Sequence, residues 1–535
     1  MLEHRPKIDI SKIQPPQSLP KKKDVYGGKK TFDAPDAPDA SSRGASVKST
    51  GQSIDQVIPV SNKFPQNLPQ KFDLYLNQHG IAHATMKTSG NPLALPVGSK
   101  QLNNIIRNIA LDEGKTLRNL DIKFANEYLV GHAETIGIVK PVWYRVAPFQ
   151  NGIELDVGDK LNSRILVTPD SVEVITQDSN TLFNRTPTSR PMVMPADKSD
   201  ISRLFNYLNL TQYDQFLLLV WLCYTLAHPK MNGINYVILL IQGDQGTGKT
   251  SLCNNIILRL IDPNVIGTQV FPNNAKDLAI ASQHSHVLCF DNMRNFKASM
   301  SDNLCMAATG GTITNRALYT DSDQHVSSLH GAIVLNGIHS FINQADLAQR
   351  CLPIRTLPLS ESDRVSEAVM LKRLEDDLPL IFRGLLEMTS DMLKCLPDVK
   401  ITHPERMLDF VHWLAAFENV VGMRDAGLQR AYSSALRQIQ LDSLMENPLA
   451  TAIYDFVDKT EFTEWSGTPQ ALLAALNLKS SLGTSYSRDW PNTPISLSKR
   501  LKALDTSLKT QGIIIEFGRG NERKITIKKV GKGND

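Results

Sequence analysis

Closely spaced cysteines are missing from this sequence. Its six cysteines are scattered over 535 residues, and no two of them form a Cys-x-x-Cys pair. A disulfide scaffold and a zinc ribbon both need such spacing, so both classes are excluded. Single, separated thiols are typical of a reducing compartment, and we therefore expect a cytoplasmic protein.

Long apolar runs are missing as well. No stretch approaches the roughly 18 consecutive apolar residues of a transmembrane helix, and Met1–Pro6 lacks the apolar run of a secretory signal. The apolar block Phe216–Leu222 is too short for a membrane and suits a buried helix. We therefore predict neither a membrane span nor a membrane partner.

Net charge is small but unevenly distributed. The whole chain carries a formal charge of only +4. Residues 496–535 alone contain ten Lys and Arg against four Asp and Glu, a local excess of six. This segment holds more than the whole surplus, which indicates a polyanionic partner.

One loop carries the strongest chemical signal. The run Tyr236–Ile241 is continuously apolar, as a buried parallel strand is, and a G-x-x-x-x-G-K-T pattern and an amphipathic segment follow it. Between a strand and a helix, such glycines let backbone N–H groups converge on phosphate oxygens. The alternative is a glycine turn with an incidental lysine. The residues predicted to bind ATP are Gly243, Asp244, Gln245, Gly246, Thr247, Gly248, Lys249 and Thr250.

Two residues of this loop and one on a second strand have individual roles. Lys249 is expected to neutralise the β and γ phosphates, and the Thr250 hydroxyl is expected to ligate Mg²⁺. The apolar run His286–Asp291 predicts a strand that ends in a carboxylate, which is the Walker B arrangement, with Asp291 as a second magnesium residue. The next residue is Asn292, which cannot take a proton from water. Either the base comes from elsewhere or hydrolysis is slow.

Two further polar residues complete the predicted site. A third strand, Ala332–Leu335, ends in Asn336, whose amide could orient the attacking water. Arg350 could reach the γ-phosphate of a neighbouring subunit as an arginine finger, and Arg355 is its rival. The simpler alternatives are a strand-capping asparagine and a surface salt-bridge arginine.

Together, the order and spacing of these motifs resemble the superfamily 3 helicases, which are AAA+-type ATPases of viruses, phages, plasmids and integrative elements. The resemblance is firmest over residues 200–420. It rests on Gln242–Thr250, Phe290–Asn292, Ala308–Gly311, Arg316–Asp321, Val334–Ile338 and Asp346–Arg350.

The resemblance implies a hexameric ring that uses ATP and Mg²⁺ to translocate on single-stranded DNA. It also implies a hairpin in the pore, near Thr312–Ser328, where Arg316 and His325 are candidate DNA contacts. Both could equally be structural residues. Asn292 departs from the acidic pair that is commoner in this superfamily, which leaves the catalytic base open.

The C-terminal residues follow a helix–helix–helix–hairpin plan. Thr468 and Pro469 are a cap and first-turn pair for the second helix, and Ser496 is predicted to cap the third. A basic helix beside a basic hairpin reads as a winged helix that binds duplex DNA. Protein contacts are the alternative role. The predicted DNA contacts are Lys499, Arg500, Arg519 and Arg523.

A chain of this length is expected to hold about three or four domains. The predicted fold class is α/β, a P-loop NTPase with an AAA+-like parallel sheet. The predicted regions are a disordered basic and proline-rich arm (1–68), a mixed α/β domain (72–198), leading helices (199–230) with the ATPase core (199–360), a helical region (361–440) and a winged helix (446–535).

One acidic group in the second region, Glu154, Asp156 and Asp159, could be a metal cluster, but strand-end and turn carboxylates are the better interpretation.

Three functions fit these patterns. The first is a replicative DNA helicase of a mobile genetic element, acting as a homo-oligomer and possible partner of host or element replication proteins. The second is an ATP-switched replication initiator or helicase loader without processive unwinding. The third is a regulatory or defence ATPase, against which the basic C-terminal segment and the pore segment argue. A primase is not expected, because neither a cysteine zinc site nor a paired-carboxylate site is present.

Overall fold

A computed structural model describes most of the chain. The described residues are 67–87, 90–294, 298–316, 324–338, 341–342, 344–359, 366–445, 447–458, 463–479, 490–518 and 524–529. Nearly all of the predicted N-terminal arm lies outside them. Among them, no helix is both long enough and apolar enough to cross a bilayer.

The N-terminal region is a mixed α/β assembly of small sheets and two helices, as predicted. A three-stranded sheet packs with the helices, and four further strands form a separate antiparallel sheet in chain order, from Val146–Phe149 to Val172–Ile175. Its elements are β1 (Phe72–Leu76), β2 (Ala82–Met86), β3 (Leu95–Pro96), α1 (Lys100–Asp112), α2 (Asn119–Ile136), β4 (Val142–Trp143), β5 (Val146–Phe149), β6 (Gly152–Asp156), β7 (Arg164–Val167), β8 (Val172–Ile175) and β9 (Leu182–Phe183).

The acidic residues of this region are used within the fold. The Glu154 carboxylate accepts hydrogen bonds from Ser179 and Thr181 at 2.6 and 2.5 Å. Asp156 is paired with Arg164 and Arg185, and Asp159 accepts from the Ser163 amide at 2.7 Å. No group of three potential metal ligands occurs anywhere in the described part of the chain. The three carboxylates thus form hydrogen bonds and ion pairs at strand ends and turns, as the second interpretation expected.

The central region is built on a four-stranded sheet in which every neighbouring pair is parallel. Its strand order is β11 (Val287–Met293), β14 (Ala332–Gly337), β10 (Ile238–Gln242) and β15 (Cys351–Arg355). A 3-10 helix at Ile201–Tyr207 precedes it. Its elements are α3 (Gln212–Ala227), β10 (Ile238–Gln242), α4 (Lys249–Ser251), α5 (Leu258–Ile261), α6 (Ala275–Gln283), β11 (Val287–Met293), α7 (Ala298–Thr309), β12 (Gly311–Arg316), β13 (Gln324–Leu329), β14 (Ala332–Gly337), α8 (Ala345–Ala348) and β15 (Cys351–Arg355).

The apolar runs of these strands are buried on both faces, which explains why they lack alternation. In β10, Leu239 and Ile241 join one core cluster, whereas Ile238 and Leu240 join another. Successive side chains of a strand point to opposite faces, so one continuous apolar run supplies two cores. The prediction of a buried parallel strand before the glycine loop is confirmed.

One prediction for the leading helices is wrong in detail. We expected helix throughout residues 199–230, but the structure has the 3-10 segment, a break and then α3. Thr211 caps α3 by accepting a hydrogen bond from the Asp214 amide, which fixes the later start. From Phe216 to Ala227 every residue of α3 is buried, as expected for a central helix.

The remaining elements form a helical region and a small C-terminal unit. They are α9 (Glu367–Cys395), α10 (Leu408–Val421), α11 (Gly427–Met445), α12 (Pro448–Val457), β16 (Glu464–Gly467), α13 (Pro469–Lys479), α14 (Pro494–Thr510), β17 (Ile513–Phe517) and β18 (Ile525–Lys529). The last three strands form an antiparallel sheet with the order β16-β18-β17.

The sequence patterns missed β16 and misplaced the start of α14. Thr493, not Ser496, caps this helix, and its hydroxyl accepts from the Ser496 amide at 3.2 Å. Pro494 then occupies the first turn, where its missing N–H costs nothing. The same Thr-Pro pattern at Thr468 was recognised correctly, and the Thr468 hydroxyl accepts from the Ala471 amide.

Candidate nucleotide site and DNA-binding surfaces

A cleft of about 700 Å³ opens at the carboxyl ends of β10, β14 and β11. Parallel strands bring their carboxyl ends to one edge of the sheet, so residues far apart in sequence meet there. The lining residues are Gln245, Gly246, Gly248, Lys249, Thr250, Ser251, Asp291, Asn292, Arg294, Asn336, Gly337 and Ile338.

The glycine loop turns sharply between β10 and the helix that follows it. Gly246 and Gly248 have φ angles of 80° and 88°, a region that favours glycine. The helix begins at Lys249 and passes through a π-helical turn at Leu252–Ile257 before it ends at Ile261. The loop therefore brings a helix N-terminus to the cleft, where unpaired N–H groups favour anions.

Lys249 lines the cleft and is largely buried. Its Nζ donates to the carbonyl oxygens of Gly243 and Asp244 at 2.8 and 2.7 Å. Burial lowers the pKa of this amine, while Asp291 and Asp244 act in the opposite direction. The cation is thus held by two neutral acceptors of its own loop, which a phosphate could replace.

Thr250 and Asp291 form an oxygen pair across the cleft. The Thr250 hydroxyl donates to Asp291 Oδ2 at 2.8 Å, and Asp291 Oδ1 accepts from the Asn292 amide at 2.6 Å. Magnesium prefers oxygen ligands and commonly takes only one or two from the protein, with phosphates and water supplying the rest. The chemistry of this donor pair fits that ion.

Asn336 and Asn292 are the two amides of the cleft. Asn336 is 1% exposed on strand β14, which lies between β10 and β11, and it lines the cleft while its Nδ2 donates to Cys253 Sγ at 3.8 Å. Asn292 has a φ of 55°, a left-handed conformation that asparagine tolerates better than most residues. Of the described residues that line the cleft, Asp291 is the one carboxylate.

Several predicted residues lie outside this lining. Gly243, Asp244 and Thr247 belong to the loop but do not line the cleft. Arg350 is also absent from the lining, and its guanidinium pairs with Asp346 at 2.6 Å with 12% of the side chain exposed. The rival Arg355 is 67% exposed at the end of β15.

One cation of the cleft was missed by sequence reasoning. Arg294 lies three residues after Asp291, is exposed and lines the cleft. The one sequence signal for Arg294 is its position shortly after the apolar run. Strand β11 continues past Asp291 to Met293 through an irregularity in its pairing, which the sequence pattern does not reveal. A strand assumed to end at Asp291 gave no reason to look beyond it.

The predicted hairpin is present. β12 and β13 pair in antiparallel register from Gly311 opposite Leu329 to Arg316 opposite Gln324. The backbone positions of Arg316 and His325 lie on these strands, but their side chains fall outside the described part of the structure. Their predicted DNA contacts therefore stay predictions.

Comparison with protein families identifies both the central and the C-terminal regions. Residues 200–442 match the replication protein of actinomycete integrative conjugative elements, AICE RepA, and residues 449–534 match the AICE RepA C-terminal domain. The two matches follow each other in chain order and together cover more than half of the chain. The chain is a replication protein of the integrative conjugative element type.

Other comparisons add little about this replication protein. No curated protein matches it. Apo structures of the NrS-1 C-terminal region are 12% identical, with a TM-score of 0.36, 87% of this chain covered and 97% of that one. A JCV helicase bound to a small molecule is 15% identical, with a TM-score of 0.22 and coverage of 46% and 61%. These scores are too low to carry an argument, and the superfamily 3 resemblance stays a prediction.

The C-terminal region of the replication protein has the three helices and the hairpin that were predicted. Leu497, Leu501 and Leu508 of α14 are fully buried, which leaves the opposite face for polar residues. Lys499 is exposed on that face, and Arg500 is half-buried. Arg519 and Arg523 lie outside the described residues.

Many lysines of this region have acidic partners. Lys509 pairs with Asp505 at 2.7 Å, Lys528 with Glu516 at 2.9 Å, and Lys529 with Asp458 at 3.0 Å. Lys502 lies 5.2 Å from the centre of the Phe517 ring. The charge surplus in the sequence therefore overstates the charge that this surface offers to a polyanion.

Proposed function

We propose that this replication protein is an ATP-dependent DNA helicase that works as a hexameric ring on single-stranded DNA. The observation that carries the proposal is the convergence of Lys249, the Thr250–Asp291 pair and Asn336 on one cleft. These residues come from three strand ends, and an amine, an oxygen pair and a buried amide are the groups that phosphoryl transfer needs.

Each residue then has a distinct part in the reaction. The Lys249 amine exchanges its two carbonyl partners for β- and γ-phosphate oxygens, while loop N–H groups hold the other phosphate oxygens. Thr250 and Asp291 would hold magnesium, which when bound would offset the charge that develops on the phosphates. The side-chain amide of Asn336 forms a hydrogen bond with the attacking water beside the γ-phosphate.

The coupling to DNA rests on surfaces away from the cleft. Arg350, or its exposed rival Arg355, acts on the nucleotide of a neighbouring subunit. The hairpin β12–β13 follows the DNA backbone in the pore through Arg316 and His325. Lys499 and Arg500, with Arg519 and Arg523, grip duplex DNA in the manner of a winged helix.

A second function is favoured by one specific observation. Asp291 already accepts from Thr250, and the residue after it is Asn292 rather than a second carboxylate. A cleft that lacks a spare carboxylate would hydrolyse ATP slowly, because nothing in it takes the proton of the attacking water. Slow hydrolysis suits an ATP-switched initiator or helicase loader, whose bound nucleotide sets its assembly.

Strand displacement on a forked duplex separates the two functions. The helicase proposal expects displacement that requires both ATP and magnesium and that is lost in Thr250→Val. Ser251→Ala is the matched control, because this neighbouring hydroxyl accepts from the Asn255 side-chain amide at 2.9 Å and is not one of the two proposed magnesium residues. ATP-dependent assembly on DNA without displacement would overturn the helicase in favour of the switch.

The size of the particle tests the ring. With ATP and single-stranded DNA, the full-length protein should form a six-fold particle of six 59.4 kDa chains. Light scattering and electron microscopy give its mass and symmetry. A monomer under these conditions would contradict the ring.

A further inference from the structure

Thr247 occupies an unexpected place in the glycine loop. Its neighbours Gly246 and Gly248 line the cleft, but Thr247 does not, and its side chain is 4% exposed. Its hydroxyl lies 2.9 Å from the Asp244 carbonyl oxygen and 2.7 Å from the Thr356 hydroxyl. The side chain is thus turned away from the cleft, toward the end of β15.

Thr356 meets the loop from the neighbouring strand. Its amide donates to the Gln242 carbonyl oxygen at 2.8 Å, and its hydroxyl lies 3.2 Å from the same oxygen. Since β10 and β15 are parallel neighbours, Thr356 follows the last paired residue of β15 and stands beside the first residue of the loop. Like Thr247, it is 4% exposed.

The contact between Thr356 and the loop is close. A Cβ placed on Gly243 would lie 2.0 Å from the Thr356 hydroxyl oxygen, so only glycine fits at the start of the loop. A second tie comes from Asn209, whose Nδ2 donates to the carbonyl oxygens of Thr247 and Leu357 at 3.4 and 2.6 Å. On the side away from the cleft, the loop is therefore held by contacts with both Thr356 and Asn209.

The hydroxyl groups of Thr247 and Thr356 have only two protons to donate. Two hydroxyl protons serve three oxygen–oxygen contacts, since each hydroxyl donates once. The two protons can therefore make two of the three contacts at one time. The contact between the hydroxyls is the shortest of the three, at 2.7 Å against 2.9 Å to Asp244 and 3.2 Å to Gln242, and the Gln242 oxygen already accepts from the Thr356 amide, so the geometry favours the bond that joins the loop to β15.

We propose that Thr356 is a positioning residue that holds the glycine loop in its phosphate-receiving shape through Thr247. The inference deepens the proposed function, because it concerns the same cleft and rests on nucleotide binding there. Loop N–H groups can converge on a phosphate only if the loop keeps its curvature, and a backbone shift of about 1 Å at such a site costs much of its effect.

Three variants isolate the bond between the hydroxyls. Thr356→Val and Thr247→Val each remove one hydroxyl, and Thr356→Ser keeps it. After Thr356→Val the Gln242 carbonyl oxygen retains the amide of residue 356, and Thr247 retains Asp244 as an acceptor, so no buried donor loses its partner. The double variant completes a cycle in which both single changes remove the same bond.

Two measurements on the full-length protein decide the proposal. The first is hydrogen exchange of the amides at residues 246–250 without nucleotide, which should rise in each valine variant and stay at the wild-type level in Thr356→Ser. The second is ATP affinity by titration calorimetry with magnesium. Each valine variant should bind roughly three- to tenfold more weakly, and the double variant no more weakly than the worse single variant.

The outcomes separate this inference from the proposed function. Unchanged loop exchange in both valine variants would overturn the positioning role, whatever the wild type binds. Additive losses in the double variant would also overturn it, since independent effects cannot come from one shared bond. A wild-type protein that binds no ATP would instead refute the proposed function. Hydrogen exchange of the loop amides would still test whether the bond between Thr247 and Thr356 holds the loop.

Discussion

The nucleotide cleft and the C-terminal surface differ in how side chains are placed. In the cleft, buried parallel strands fix Asp291 and Asn336 at neighbouring strand ends, and the helix after the loop fixes Thr250. On the C-terminal surface, lysines such as Lys528 are long, exposed and paired with acids on adjacent strands. Topology dictates the first arrangement, whereas local ion pairing decides the second.

This difference shows which functional assignments a sequence can support. A motif that follows a buried strand inherits the strand's geometry, so its chemistry can be inferred from the order of residues alone. An excess of charged residues does not define a geometry. Exposed ion pairs are weak, so a surface lysine can remain paired with a carboxylate or bind a phosphate instead. If this comparison is right, single substitutions in the cleft should have large effects on ATP turnover, whereas substitutions of ion-paired lysines on the C-terminal surface should have small effects on DNA binding.

The largest effect is expected at the centre of the cleft. Lys249→Ala should lower ATP turnover by roughly 10²–10³-fold or more, because the predicted site contributes no other buried cation to the γ-phosphate. Steady-state phosphate release by the purified variant measures it. Arg294→Ala is the informative companion, since this exposed cation lines the same cleft. Turnover at the wild-type level in Lys249→Ala would remove the nucleotide assignment.

Loss of the C-terminal surface should give the next largest effect. Removal of residues 446–535 should weaken duplex binding while leaving ATP turnover largely intact, because the cleft lies upstream. Replacing Lys499, Arg500, Arg519 and Arg523 with Ala should reproduce most of the loss and reduce the log–log salt slope by about 0.9 for each phosphate contact removed. Fluorescence anisotropy of a labelled duplex at two salt concentrations measures both quantities.

The ion-paired lysines supply the control for this experiment. Lys509→Ala with Lys528→Ala should change the salt slope little, because each of these lysines already has an acidic partner. Equal affinities and equal slopes for the wild type and the fourfold variant would assign the region to protein contacts instead.

Acid should destabilise the central region more than the C-terminal region. Burial lowers the pKa of His286 to about 3 and those of His228 and His330 to about 4. Between pH 6.5 and these values the unfolded chain binds protons that the folded chain does not, so stability falls as pH falls. No histidine occurs in residues 446–535.

Denaturant titrations at about pH 7 and about pH 5 measure this sensitivity. Each buried histidine should cost on the order of 2 kcal/mol of unfolding free energy between the two pH values. His286→Gln should be less sensitive to acid than the wild type, with the hydrogen bond to the Thr225 carbonyl oxygen open to the new amide. An identical pH dependence in this variant would show that His286 is not held neutral by burial.

The smallest change concerns the residue after Asp291. Asn292→Glu should hydrolyse ATP at least as fast as the wild type and at most several-fold faster, because it adds a carboxylate at the edge of the cleft. Asn292→Gln keeps the longer side chain without the charge and should give no increase. A strong loss of turnover in Asn292→Glu would mean that the asparagine itself has a required role.

Prediction from sequence succeeded where one pattern fixed the local conformation. The apolar run at Tyr236–Ile241 predicted the buried strand that the structure has at Ile238–Gln242, and the Thr468–Pro469 pair marked a helix start. It failed where competing signals were equally good, as with Ser496 against Thr493 at the start of α14. The orientation of Thr247 away from the cleft could not be predicted, because its partner Thr356 lies 109 residues away.

Magnesium-dependent ATP turnover in Asp291→Ala tests the nucleotide cleft most directly. This carboxylate lies 2.8 Å from the Thr250 hydroxyl, and we expect the two oxygens to hold the ion. The variant should fold, retain the wild-type helix content and show no turnover above background at any magnesium concentration. Normal magnesium-dependent turnover by Asp291→Ala would contradict the assignment of this cleft as the site of ATP hydrolysis.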